Sequence, residues 1–393
     1  MPTILIFLPV STRLYPETVD GIRQRLQSEF RLQVVEYPRD SGKMEDLLGF
    51  WKPCGCIVVA AEGLYCRPPG LRRIPTVYLD RTPMSSGDYL DVVQDYAGGA
   101  VLAAQELLDG RVTNYGFVEN DVLSSWSRAR GDAFGEAIRL HGRRFHRFTL
   151  SASAGNRPKL LREWLERLPK PVGIFAANDR TAKEVLDVCA RGGIRVPGDV
   201  CVLGIDNVAE VCENCEPKLS CIAVDGVQAG WMCADLLARR LVTPHLKRAL
   251  LKYDAIGVVR RASTRRTCRF TKPIRQAMDA IRARACEGIT VDDVAAGLGR
   301  SRRTAETRFL RETGRTIQQA ITDARLERAV VLLKNPALSL ADLTTLCGYK
   351  TENALRIAFR KKFRKSLSSI RHKASNARIG RNGKGEGTQG SAY

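Results

Sequence analysis

The sequence is poor in the groups that most enzymes and membrane proteins depend on. It has four histidines, His141, His146, His245 and His372. None sits in a recognisable Ser or Cys nucleophile motif, and no glycine-rich phosphate loop of specific spacing occurs. These absences weigh against catalysis, and no catalytic residue, cofactor or metal ion is expected. No run approaches the roughly 20 apolar residues that a membrane span needs. The opening Met1-Pro2-Thr3-Ile4-Leu5-Ile6-Phe7-Leu8-Pro9-Val10 lacks a basic stretch ahead of a strand-length apolar run, so it does not read as an export signal. A cytoplasmic location is expected, with the 12 cysteines held mostly as thiols. Acidic residues are also scarce, 42 against 63 basic ones, and the net charge of +21 favours a polyanionic partner.

The chain has 393 residues, too many for a single core, so two or more domains are expected. The charge is unevenly placed. Residues 271–393 hold 25 Lys and Arg against 11 Asp and Glu, a surplus of +14 that leaves +7 for the first 270.

From residue 4 to about 257, short apolar runs alternate with helix-length amphipathic segments, the pattern of a parallel sheet flanked by helices. Strands are expected at Ile4–Leu8, Leu32–Glu36, Cys56–Ala60, Thr76–Leu79, Tyr115–Glu119, Gly173–Ala177, Val200–Ile205 and Ser220–Val224. Helices are expected at Pro16–Phe30, Tyr96–Leu108, Arg128–Leu140, Pro158–Leu168, Arg180–Arg191 and Val227–Leu241. So many strands suit two α/β lobes, with the chain crossing near Asp95 and again near Leu203–Asp225. A ligand cleft is then expected where the C-terminal strand ends of the lobes face each other.

These patterns divide the chain into a sensor domain over 1–258, a basic linker over 259–272, an all-α domain over 273–373 and a disordered tail over 374–393. The linker carries five arginines between Arg260 and Arg269 without apolar periodicity, which reads as exposed. The tail is rich in Gly, Ser, Asn and Arg.

The all-α region contains an internal repeat. Val291–Gly299 followed by Ser301 and Arg302–Thr313 matches Leu340–Gly348 followed by Thr351 and Glu352–Phe363. With Gly299 on Gly348, Val294 falls on Leu343, Ser301 on Thr351 and Phe309 on Phe359. Each unit has a short apolar-faced helix, a glycine turn, a Ser or Thr suited to capping, and a second helix free to enter a major groove. Between them Ile317, Ile321, Leu326, Ala329, Val330 and Leu333 recur at helical spacing, a long helix that would hold two reading heads.

Arg325-Leu326-Glu327-Arg328-Ala329, Leu332-Leu333, Cys347-Gly348-Tyr349 and Phe359-Arg360-Lys361-Lys362-Phe363 resemble the signature of the DNA-binding domain of the AraC-type family. The resemblance covers about residues 273–371. By position it implies base contacts from Arg303, Glu306 and Thr307 in the first unit, and from Glu352, Asn353 and Arg356 in the second. Their chemistry suits this role: Arg pairs bidentately with guanine, Asn with adenine, and Glu accepts from cytosine. Arg302, Lys361, Lys362 and Arg364 are the expected phosphate contacts.

Residues 1–257 resemble the periplasmic-binding-protein-like core of LacI-type repressors, although no helix-turn-helix precedes the first strand here. The resemblance rests on Val93-Gln94-Asp95, Gly98-Gly99, Ser127-Arg128-Ala129-Arg130, Phe175-Ala176-Ala177-Asn178-Asp179 and Val202-Leu203-Gly204-Ile205-Asp206-Asn207. Such a core ahead of an AraC-type domain looks like the xylose-operon activator (XylR-type) group. The implied fold is a two-lobed α/β periplasmic-binding-protein-like domain followed by an all-α double helix-turn-helix domain.

The group's function implies a sugar such as xylose or a related pentose as effector and double-stranded DNA as partner, with a homodimer as the expected state and RNA polymerase as a further contact. Arg130, Asn178 and Asp206 fall where that fold places sugar-binding polar groups, and the Trp126 indole could cover a pyranose face. The plainer alternative for Asn178 and Asp206 is a turn or helix cap. Val208 and Cys221 depart from the group's usual residues.

Other readings remain open at this level: a different small-molecule effector, or a cysteine-based DNA-repair enzyme, for which no cysteine has a diagnostic neighbourhood. Cys201, Cys212, Cys215 and Cys221 include a Cys-x-x-Cys pair, but a predicted strand and the connection after it hold them, so ordinary thiols are expected.

Overall fold

The computed structural model describes residues 1–9, 16–36, 41–59, 69–81, 89–110, 112–120, 125–149, 156–264, 270–333, 338–363 and 366–367. The chain divides near residue 267 into two compact units. The first unit holds two six-stranded sheets. One is built from β1 (Thr3–Leu8), β2 (Arg31–Glu36), β3 (Gly55–Val59), β4 (Thr76–Leu79), β5 (Tyr89–Gln94) and β11 (Arg248–Tyr253). Its order is β11-β5-β4-β3-β1-β2, parallel throughout.

The second sheet contains β6 (Asn114–Val118), β7 (Phe145–Phe148), β8 (Val172–Ala176), β9 (Val200–Asp206), β10 (Ser220–Val224) and β12 (Ala255–Val259). Its order is β12-β10-β9-β8-β6-β7, with β12 antiparallel on β10.

Both faces of a parallel sheet are covered by helices, which is why its strands are apolar at consecutive positions rather than at alternate ones. In β1, Ile4 and Ile6 join one core cluster while Leu5 and Phe7 join the one on the opposite face. The helices α1 (Pro16–Leu26) and α8 (Gly226–Val242) cross closely. A Cβ on Gly21 would lie 2.0 Å from the Val227 oxygen, and one on Gly230 would lie 1.9 Å from the Thr18 oxygen. Only glycine permits that approach.

The chain crosses between lobes three times. The expected passages at Asp95 and after β10 are joined by a third at Asp254, between β11 and β12. The crossing segments are tied together, since Asp95 N donates to Tyr253 O at 2.8 Å and Asp225 N to Asp254 O at 3.3 Å.

The arginine-rich segment corrects the reading of an exposed linker starting at 259. Arg260 forks onto Glu106 at 2.8 and 2.7 Å, and Arg261 meets Glu213 at 2.5 Å. Ser263 and Thr264 are buried and hydrogen-bond to Val202 O, Ser220 N and Ser220 Oγ. Their partners stand 43 to 154 residues away, so local polarity alone misread them as solvated. Residues 265–269 and the tail at 374–393 lie outside the described residues.

The second unit is helical: α9 (Lys272–Arg284), a short 3-10 turn at Ala285–Glu287, α10 (Val291–Gly297), α11 (Arg302–Thr313), α12 (Ile317–Leu332), α13 (Leu340–Leu346) and α14 (Glu352–Phe363). Capping boxes start three of these helices: Thr290 with Asp293, Thr316 with Gln319, and Ser339 with Asp342. The repeat appears as two helix pairs, α10 with α11 and α13 with α14. Phe309 and Phe359 are fully buried at equivalent positions. Gly299 and Gly348 take φ of +62° and +71°, the left-handed turn that glycine provides without strain. A Cβ on Gly348 would also meet Cys286 O at 2.8 Å.

Candidate functional site

In the first unit, α4 (Ser125–Leu140) and the C-terminal ends of β4, β5, β8 and β9 supply the side chains of one polar cluster. Its centre is Arg130, 2% exposed. One guanidinium nitrogen donates to Ala177 O and another to Gln94 Oε1. Because Gln94 ends a strand of the first sheet and Ala177 follows a strand of the second, Arg130 ties the two lobes across their facing strand ends. Its planar head also lies 5.0 Å from the centroid of Trp126 and 5.5 Å from that of Tyr96. Arg130 Nε and Gln94 Nε2 are buried without a hydrogen-bond partner. Buried donors of this kind are normally satisfied, and here two of them fall in one cluster.

Two carboxylates complete the cluster. Asp80 follows β4 and accepts from Tyr253 Oη at 2.7 Å and Gln94 N at 3.0 Å. Burial pushes its carboxyl above the usual range, opposed by these hydrogen bonds and by Arg130. Asp206 ends β9. Burial lifts its carboxyl to about 7, with Arg130 pulling down and Asp80 pushing up. Tyr96 is pushed up as well, by burial and by Asp80. Asp80 and Asp206 both have positive φ, +56° and +115°, as does Asn207 at +61°. Backbone strain of this sort concentrates at ligand sites, where surrounding structure holds it.

A measurable pH dependence follows. Asp206 binds its proton more tightly in the folded chain than at the unfolded value of about 3.9, so its contribution to stability is fully present below about pH 4 and is lost as pH rises through about 7. The melting temperature of the wild type is expected to fall more steeply between about pH 4 and 7 than that of Asp206→Asn, which has no proton to lose. Parallel profiles from thermal melts of both proteins would refute the assignment.

Of the four residues expected from sequence, the structure brings Trp126, Arg130 and Asp206 together. Asn178 instead caps α6 (Asp179–Arg191), its oxygen accepting from Thr181 N at 2.8 Å, which leaves its amide nitrogen as the group it could offer. Sequence reasoning missed Asp80, Tyr96 and Tyr253, and used Gln94 only as a landmark. Asp80 had a usable signal, an acidic residue directly after a predicted strand.

In the second unit, Arg302, Arg303, Thr307, Asn353, Arg356 and Lys361 are exposed, and Glu306 and Glu352 are half-buried. Arg302 pairs with Asp292 at 3.1 Å, and Arg356 with Glu352 at 3.4 Å. Lys362 is placed differently from a phosphate contact: its ammonium bridges Asp323 at 2.8 Å and Glu327 at 3.3 Å, fixing α14 to α12. Arg364 lies outside the described residues. Arg325, part of the signature, donates to Ala285 O at 2.7 Å and lies 5.8 Å from the Tyr349 ring, so α12 links the turn of the second helix pair to the 3-10 turn that follows α9.

Residues 104–264 match the family model of the periplasmic binding protein-like domain, and residues 294–373 match that of the helix-turn-helix domain. The chain joins a periplasmic-binding-protein-like domain to a helix-turn-helix domain. It is 35% identical over 203 residues to the xylose operon regulatory protein of Escherichia coli strain K12, covering 52% of this chain and 52% of that protein. It is 31% identical over 251 residues to the protein of the same name from Haemophilus influenzae, covering 63% and 65%. The match thus spans about half to two-thirds of the length of these relatives. Among solved structures, a LacI family transcriptional regulator from Enterococcus faecalis with bound ribose is similar at a TM-score of 0.53 and 23% identity, covering 67% of this chain and 98% of that one. That likeness concerns the fold. Among the described residues, no helix is long and apolar enough to cross a membrane.

Proposed function

We propose that this chain is a sugar-responsive transcription regulator that binds double-stranded DNA through its two helix-turn-helix units and takes a pentose, or a closely related sugar, in the cleft around Arg130. The observation that carries the reading is the Arg130 cluster: a fork held between lobes, two flanking carboxylates, two aromatic faces, and the unpartnered Arg130 Nε and Gln94 Nε2. Vicinal hydroxyls both donate and accept, so a sugar satisfies the carboxylates and the orphaned donors together while an indole covers its apolar face. The names of the two bacterial relatives support the sugar class.

Such a regulator works in the cytoplasm. A ligand shifts its lobes only by its difference in affinity for the open and closed states, and a coupling to DNA binding of about 1–3 kcal/mol is expected. Pairing of two copies would give closure two reading units to reposition at a promoter, where RNA polymerase reads the outcome.

The test is a thermal-shift screen of pentoses, hexoses and polyols on the full chain. At a thousand times its dissociation constant, a specific ligand stabilises the native state by about 4 kcal/mol. The screen overturns the reading if no sugar raises the melting temperature. For the DNA side, Arg303→Ala is expected to cost about 1–3 kcal/mol and to relax selectivity at one base pair, whereas Lys361→Ala should weaken all sequences alike. Anisotropy titrations against single-base variants of the bound promoter separate the two. A uniform loss in Arg303→Ala would reassign that residue to phosphate.

A further inference from the structure

Apart from the Arg130 cluster, a group of chemically capable side chains lies buried among the described residues of the first unit. Asp179 opens α6, Cys212 ends α7 (Ala209–Cys212) and Cys221 lies in β10. All three are 0 to 1% exposed. The two sulfurs and a carboxylate oxygen of Asp179 lie within 4.8 Å of one another. The four cysteines that stand close in sequence are thereby separated, since Cys201 Sγ faces Pro197 O and Cys215 Sγ faces Val211 O.

We infer that Asp179, Cys212 and Cys221 form a binding site for a thiophilic divalent cation of the zinc class, with a fourth position open to water. The spacing suits tetrahedral coordination. A zinc–sulfur distance of about 2.3 Å sets a sulfur–sulfur edge of about 3.8 Å and a sulfur–oxygen edge of about 3.5 Å. Here Cys212 Sγ is 3.7 Å from Cys221 Sγ and 3.3 Å from Asp179 Oδ2.

The surroundings support an ion as well. Asp179 Oδ1 is buried without a partner. Gly204 leaves the room it occupies, since a Cβ there would come within 2.3 Å of it. The Val208 amide donates to Oδ2 at 2.7 Å and fixes the carboxylate. Arg261 donates to Cys221 Sγ at 3.2 Å, the outer contact that a metal-bound thiolate accepts from a neighbouring donor. Two thiolates, a carboxylate and a divalent cation leave one negative charge, facing the Arg261 guanidinium that also meets Glu213. Binding deprotonates both thiols and releases their protons to solvent. Oxygen-seeking magnesium or calcium would not select a pair of sulfurs.

The site tethers β10, α6 and α7, and Val208 belongs to the loop that follows Asp206. It is independent of the sugar reading, because none of its ligands belongs to the Arg130 cluster.

The experiment uses the full chain purified in a phosphine reductant from zinc-supplemented cells, gel-filtered and assayed for metal, with cobalt(II) exchanged in as a spectroscopic probe. About one zinc per chain is expected, with a near-ultraviolet thiolate-to-cobalt charge-transfer band. Cys212→Ser and Cys221→Ser should each lose the band, and Cys215→Ser should keep it. Asp179→Asn should weaken zinc at least tenfold in competition with a chromophoric chelator, a readout on a near-isosteric variant should a serine variant misfold. Wild-type protein with far less than one zinc and no charge-transfer band overturns the inference. So does a band that persists in both serine variants.

Discussion

Arg130→Ala is expected to weaken binding of whichever sugar stabilises the wild type by at least about 100-fold, close to 3 kcal/mol. The substitution removes the donors that engage Ala177 O and Gln94 Oε1, the cation between Trp126 and Tyr96, and the charge opposing Asp80 and Asp206. A hydrogen bond to a charged group contributes about 1.5–3 kcal/mol, and a sugar oxygen facing the unpartnered Nε would lose one directly. Arg130→Lys should not rescue binding, because an ammonium restores the charge without the planar fork that reaches two lobes at once. DNA affinity in the absence of sugar should stay near the wild-type value, since the cores around Phe309 and Phe359 contain none of these atoms. Calorimetric titration of the variants decides the matter: wild-type affinity in Arg130→Ala would remove Arg130 from the site.

The sequence made this residue visible because it stands within a motif, Ser127-Arg128-Ala129-Arg130, about one turn ahead of buried Phe134 on one helix. Partners from distant segments were harder to see. Asp80 and Tyr253 are 173 residues apart, and only the parallel pairing of β11 with β5 brings them together. The strands β5, β7, β11 and β12 were missed for related reasons. Asp91 interrupts β5 with a fully buried carboxylate, tolerated because Arg81 reaches it at 2.6 Å, and a strand with a charge at its centre does not look like a core strand. The β7 sequence Phe145-His146-Arg147-Phe148 has polar residues at its middle, and β12 contains Gly257 at φ +153°.

The helical unit was more legible, because its spacing, caps and turn glycines are all local signals. Even there Lys362 looked like its neighbour Lys361. Only the positions of Asp323 and Glu327, on a helix more than 30 residues earlier, distinguish a packing cation from an exposed one.

That distinction sharpens an expectation for the second reading head. Phe359→Ala should cost about 3–5 kcal/mol, the usual loss for a fully buried aromatic whose cavity cannot collapse. Phe359 is 0% exposed, with the Phe363 ring 4.6 Å away by centroids, and Leu355 is the other fully buried residue of α14. With the ring removed, little else holds α14. The Lys362 bridges to Asp323 and Glu327 are partly exposed, and pairs of that kind contribute at most about 1 kcal/mol. Lys362→Ala should therefore have a small effect on stability, while Phe359→Ala releases the helix carrying Glu352, Asn353 and Arg356. Specific promoter binding should be lost in Phe359→Ala with sugar affinity retained, because the Arg130 cluster belongs to the other unit. Anisotropy with specific and scrambled DNA, run beside sugar titrations of the same preparations, reads both properties. Phe359→Ala that still discriminates the promoter as the wild type does would show that recognition does not need the second helix pair. A Lys362→Ala loss as large as that of Phe359→Ala would show that the ion pairs, and not the aromatic core, seat the helix.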